Sequence, residues 1–228
     1  MENPSTKFES AIRGKDKISV IAEVKKRSPA GRSENGRVFN AHSTADLVAA
    51  YNAGGASAIS VVTDPYRFNG SIKLLEQVKK STNLPVLRKD FIQTVTEVDE
   101  GYYAGADATL LIAKDLSKRQ LHDLIDRIHV RAMSALVEVY DARDLAKLAG
   151  RDDVVIGINN RNLKTLRTNF GHALGVLNKV DPELTIIAES AFSDAGQLQP
   201  YKGRVDAALI GSSLLTAENP QKKLESFL

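Results

Sequence analysis

The sequence predicts an α/β fold, a single (β/α)8 barrel of the TIM type, and three observations predict it. Eight short β-branched apolar runs recur along the 228 residues. Amphipathic segments with apolar residues at helical spacing fill the gaps between them. The length suits one barrel, which commonly needs about 200 to 250 residues. We therefore read residues 1–228 as one barrel domain, with 1–17 a short N-terminal extension.

The strands are expected at 18–24, 58–62, 85–88, 108–112, 135–139, 154–158, 185–188 and 207–210. Helices are expected over STADLVAAYNAGG, SIKLLEQVKKST, TVTEVDEGYYAGA, SKRQLHDLIDRIHVRA and DARDLAKLAG. An internal echo supports the repeat: AGGASAISVV, AGADATLLIA and GRVDAALIGS each set a glycine ahead of a small residue and an apolar strand. That is how a helix C-cap feeds a buried strand. An open doubly wound sheet would usually carry G-x-G-x-x-G after its first strand. Here EVKKRSP follows instead.

Composition excludes several chemistries. There is no cysteine, which rules out thiol nucleophiles, disulfides and thiolate metal sites. The four histidines are scattered without helical ligand spacing, so no metal site is expected. The net charge of +3 is spread among acidic residues, which argues against a nucleic-acid partner. Apolar stretches reach only about five or six residues, far short of the roughly twenty that cross a bilayer, and the start has no apolar leader segment. The expectation is a cytoplasmic protein with a small-molecule substrate, no membrane and no nucleic acid; the sequence assigns no oligomeric state.

Reactive groups in such barrels sit at the C-terminal ends of the strands. The first strand ends Glu23-Val24-Lys25, and the two-residue period sends both charges to the barrel interior with Ser19 and Ile21. The third ends in Lys89, the fifth in Glu138, the sixth in Asn159 and the seventh in Glu189-Ser190. A lone charge ending a strand is usually a solvated rim residue. Five such ends at one rim point to a site. The last strand runs into Gly211-Ser212-Ser213 before a short helix, and the seventh into Ser190-Ala191 before another helix start. Loops after strands seven and eight are where these barrels hold phosphate.

These residues resemble the indole-3-glycerol phosphate synthases. The matching segments are IAEVKKRSPAG (21–31), SVVTDPYRFNGS (60–71), LRKDFI (87–92), GADATLLIA (105–113), LVEVYD (136–141), IGINNRNL (156–163), IAES (187–190) and LIGSSLL (209–215). The resemblance implies ring closure of 1-(o-carboxyphenylamino)-1-deoxyribulose 5-phosphate with loss of carbon dioxide and water, and no cofactor. It implies Lys89 as general acid, Glu138 as general base, Lys25 at the substrate anions, Glu23 orienting the lysines and Asn159 at the sugar hydroxyls. Ser28, Phe91, Leu111, Arg161, Glu189, Ser190, Gly211 and Ser212 are implied as substrate-binding.

The chain departs from the family's pattern in two places. Family members carry several more helical turns before the first strand, covering the mouth, and FESAI resembles only the last piece of them. The loop from Gly31 to Ser43, with Arg32, Arg37, Val38 and Phe39, is a candidate replacement lid. The second departure is Ala191, where the family's glycine usually stands. Two rival readings compete with this one: a relative acting on a modified anthranilate-derived sugar phosphate, and a phosphate-binding barrel without catalysis. The joint presence of Lys89 and Glu138 argues against the second.

Overall fold

The computed structural model of the chain describes residues 6–14, 16–29, 37–161 and 168–228. The eight expected strands form: β1 Ser19–Val24, β2 Ala58–Val62, β3 Val86–Lys89, β4 Ala108–Ile112, β5 Ser134–Val139, β6 Val155–Asn159, β7 Ile186–Glu189 and β8 Ala207–Ile210. Each pairs in parallel with the next, and β8 pairs back to β1, closing the barrel. β3, β6 and β7 run one residue further than expected, taking in Lys89, Asn159 and Glu189. A ladder bonds through backbone, so a polar side chain does not end it where that side chain has a cavity to enter.

Around the barrel lie α1 Lys7–Ile12, α2 Thr44–Ala53, α3 Ile72–Lys80, α4 Val95–Tyr103, α5 Lys118–Val130, α6 Ala142–Ala146, α7 Phe170–Leu177, α8 Ser212–Leu215 and α9 Pro220–Glu225. Their starts are set by side chains accepting orphan backbone N–H groups: Ser43, Ser71, Thr94, Ser117, Asp141 and Asn169 all do so. Gly55, Gly105 and Gly203, the glycines of the internal echo, take positive φ where the chain turns back into β2, β4 and β8.

Alternation along the strands sorts side chains into two layers. Ile21, Leu87, Leu110, Leu136, Ile187 and Leu209 fill the barrel. Val20, Val24, Val61, Leu111, Val137 and Ile158 pack outward against the helices. This corrects one expected site residue: Leu111 faces the helices, and its neighbours Leu110 and Ile112 face the interior. The segment that carries the resemblance does reach the site, but the period-two parity within it is one residue away from the expected one.

Helix α1 closes the base of the barrel, not its mouth. Phe8 and Ile12 are fully buried in the interior cluster. Thr6 bonds Ser134 at the start of β5, Glu9 accepts from Thr185 just before β7 at 2.6 Å, and Gly14 N–H donates to Asp206 just before β8 at 2.9 Å. All three partners stand at N-terminal strand ends, so FESAI is a plug for the apolar base. Of the candidate lid, residues 31–36, including Arg32, lie outside the described residues. Arg37 and Val38 pair antiparallel with Arg27 and Ser28. Val38 is exposed, whereas Phe39 is buried with its ring 5.5 Å from Lys25 Nζ.

Candidate active site

The C-terminal ends of the strands surround a cavity, and side chains of every sign line it. Glu23, Lys25, Ser28, Lys89, Phe91, Glu138, Asn159, Arg161, Ser190, Gly211 and Ser212 all border it, as do Val62, Asp64, Phe68, Leu110, Ile112, Phe192 and Leu209. Of the residues expected from sequence, only Leu111 and Glu189 do not. Glu189 lies beneath the floor with no solvent exposure, yet it is tied to the site through Lys89.

The charged centre is built by register. β2 sets Val62 beside Lys89, β5 sets Glu138 beside Gly157, and β6 sets Asn159 beside Glu189. Lys89 Nζ lies 3.7 Å from Glu138 Oε2 and 3.6 Å from Glu189 Oε2. Asn159 Nδ2 donates to Glu138 Oε1 at 3.0 Å, and its Oδ1 accepts from Arg161 N–H at 2.8 Å. Lys25 Nζ donates to Glu23 Oε1 at 2.6 Å, and Tyr51 donates from behind to the Glu23 carbonyl. Glu23 therefore holds a lysine. Asn159 spends its amide on Glu138, so its first partner is the carboxylate and not open space.

Two glycines make this packing possible. A Cβ at Gly157 would lie 2.1 Å from Glu189 Oε1, and one at Gly211 would lie 2.3 Å from Glu23 Oε1 and 3.0 Å from Lys25 Nζ. Only the bare backbone leaves room for these buried carboxylates. Gly157 is not among the residues expected from sequence, although a glycine inside an otherwise β-branched strand signals a close approach.

Burial and charge pull the ionisations apart. For Glu23, burial opposes ionisation, but Lys25, Lys89 and Arg161 outweigh it and hold the carboxyl below its ordinary value. Burial likewise disfavours the Lys89 ammonium, yet Glu189, Glu138 and Glu23 overcome it and push the lysine upward, so it stays charged. Glu189 is pushed up to about 8, chiefly by burial and then by Glu138 and Glu23, against the pull of Lys89. Neither of its oxygens has a hydrogen-bond donor among the described residues. Burial disfavours a charge there, and the Lys89 ammonium 3.6 Å away offsets that only in part.

The walls divide into two chemistries. After β2 and β3, Phe68 and Phe91 stand 6.4 Å apart with Arg67 over the Phe91 ring at 4.4 Å. Asp64 holds that wall by accepting from the N–H groups of Arg67 and Phe68. After β7 and β8 come the polar turns Ser190-Ala191 and Gly211-Ser212, fastened together by Ser213 Oγ donating to the Phe192 carbonyl at 2.9 Å. An aromatic slot, an acid–base centre and a polar cup thus follow one another around the rim. Among the described residues no group of His, Asp and Glu is placed to hold a metal ion, and no helix is long and apolar enough to cross a membrane.

Comparison with known proteins identifies the family. The family model described as indole-3-glycerol phosphate synthase matches residues 1–227. Relatives of that name include one from Sulfurimonas denitrificans, 38% identical over 92% of this chain and 79% of its own length. Another, from Rhodococcus jostii, is 39% identical over 90% and 75%. A third, from Desulforamulus reducens, is 35% identical over 99% and 84%. Among solved structures, the tryptophan synthase alpha subunit of Legionella pneumophila superposes with a TM-score of 0.68 over 97% of both chains. At 10% identity that likeness speaks for the barrel alone.

Proposed function

The chain belongs to the indole-3-glycerol phosphate synthase family, and from that premise we propose how its residues divide the chemistry. The activity is ring closure on a phosphorylated, carboxylated anilino-sugar. A bond forms between the carboxylate-bearing ring carbon and the ketone carbon, carbon dioxide leaves, and water is then lost to give the indole. The supporting observation is the position of Lys89 between two carboxyl groups, Glu138 and Glu189, at the floor of a pocket with one aromatic wall and one polar wall.

As the aromatic carbon attacks, the ketone oxygen becomes an alkoxide and takes a proton from Lys89. The lysine's raised pKa does not prevent this, because an alkoxide is the stronger base, and it guarantees that the proton is present beforehand. Loss of carbon dioxide restores aromaticity. Glu138, aimed by Asn159, then takes the proton from the ring methylene beside the nitrogen as the tertiary hydroxyl departs, and the Lys25 ammonium supplies the proton with which that hydroxyl leaves as water. Lys25, held by Glu23, and Arg161 supply the cations that a carboxylate and a phosphate require. The ring lies against Phe68, Phe91, Leu110 and Ile112, Ser28 borders the same cavity, and the phosphate lies at Ser190, Gly211 and Ser212.

The test is direct. The purified chain, given the anilino-sugar phosphate, should produce indole fluorescence and release one carbon dioxide per indole. A chain that binds this compound without turning it over would fail the reading, and faster turnover of a ring-substituted analogue would move the substrate class.

A further inference from the structure

We propose that Asn160, braced by Tyr201, is a positioning residue that holds the Ser190–Ala191 turn in the shape the substrate phosphate needs. This rests on the reading that the phosphate lies at that turn.

Ser190 and Ala191 have φ of +71° and +70°. Two successive non-glycine residues in the left-handed region are unusual, and each conformation is disfavoured by roughly five- to thirty-fold for an L-residue. Left to itself the turn would relax. Both residues line the cavity, so relaxation would reshape the polar wall.

Asn160 opposes that relaxation with its backbone N–H and with both ends of its side-chain amide. Its backbone N–H donates to the Glu189 carbonyl at 2.9 Å. Its side-chain Nδ2 donates to the carbonyls of Glu189 at 2.9 Å and Ser190 at 3.1 Å. The side-chain acceptor, Oδ1, accepts a hydrogen bond from the Tyr201 hydroxyl at 2.5 Å. Asn160 and Tyr201 are buried, and the Tyr201 ring meets Phe192 edge-on, with centroids 5.6 Å apart. The turn is thereby tied to the end of β6 on one side and to the 3-10 segment Ala195–Tyr201 on the other.

The strand's alternation separates this role from direct contact. Asn159 and Arg161 border the cavity, whereas Asn160 between them does not. It acts only through the backbone of residues 189 and 190. A serine or glycine at 160 could not span both carbonyls and still accept from Tyr201, which is why an amide is used there.

The experiment measures kcat, KM for the anilino-sugar phosphate and competitive inhibition by inorganic phosphate. The chains are the intact one, Tyr201→Phe, Asn160→Ala, and Asn160→Ala combined with Ala191→Gly. We expect Asn160→Ala to raise KM and the phosphate inhibition constant together by about tenfold, the scale of one or two lost buried hydrogen bonds, with kcat changed less than threefold. Tyr201→Phe, which removes one oxygen, should shift both constants in the same direction by less. Glycine adopts the left-handed turn freely, so Ala191→Gly should recover several-fold of the loss. A folded Asn160→Ala or Tyr201→Phe with unaltered KM and phosphate inhibition overturns the proposal, as does a KM loss that Ala191→Gly leaves in place. Should inorganic phosphate fail to compete even in the intact chain, the phosphate assignment falls and the proposal with it. Competition that persists unchanged in both single variants removes the brace alone.

Discussion

Lys89 Nζ stands 3.7 Å from Glu138 Oε2, so the proposed acid and base of this barrel are ion-paired with each other before substrate arrives. The pairing ties together the ends of β3 and β5, which flank β4 in the barrel. It also keeps the lysine protonated, while Asn159 holds the other oxygen of the glutamate.

Replacing Lys89 by methionine should lower turnover by roughly a hundredfold or more, the usual scale for a lost general acid. KM should change less. The same change leaves Glu138 and Glu189 without the cation between them, so the variant should also melt at lower temperature. Steady-state kinetics beside thermal melts separate the two effects. Turnover close to that of the intact chain would remove Lys89 from the mechanism.

Glu189 sets a pH dependence of stability. Its carboxyl is pushed up to about 8 in the fold, from an ordinary value of 4.5. A folded value above the unfolded one means the unfolded chain releases the proton more readily. The stabilisation by neutral Glu189 is therefore complete below about pH 4.5 and is lost as pH rises through about 8. Glu189→Gln, neutral at every pH, should melt progressively higher relative to the intact chain between about pH 5 and 9. Melting curves whose difference is flat over that window would show that Glu189 is ionised throughout.

Gly157→Ala should destabilise the fold by about 2–4 kcal/mol, because the new methyl overlaps the buried Glu189 carboxyl and crowds Leu136. Turnover should drop with it, since displacing Glu189 disturbs its contact with Lys89. Denaturant unfolding with an unchanged midpoint would show that the floor is looser than its packing indicates.

Most of the barrel was legible because its strands are short apolar runs whose limits follow from period-two burial, and all eight were placed within one residue. The charged rim was legible for the same reason: Glu23, Lys89, Glu138 and Asn159 interrupt apolar strands on inward positions. Leu111 was misjudged because the one polar residue of its strand, Thr109, is itself buried, bonded to Met133 outside the barrel interior, and so gives no sign of which face is inward. Asn160 and Tyr201 were missed because a buried amide and phenol show no pattern until the strand ends they bridge are side by side. Phe8 and Ile12 could not reveal that they plug the base, since a six-residue helix has too little periodicity to show which surface it covers.

The division of labour between Lys89 and Glu138 is tested most directly by a single turnover of Glu138→Gln, following carbon dioxide release and indole formation separately. Glutamine keeps an oxygen for Asn159 and the shape of the floor but cannot take a proton. Carbon dioxide should appear at nearly the rate of the intact chain, and indole should lag behind it by a factor of roughly 10² or more while the ring-closed intermediate accumulates. Carbon dioxide and indole slowed together with no intermediate, or both formed as in the intact chain, would contradict the assignment of dehydration to Glu138.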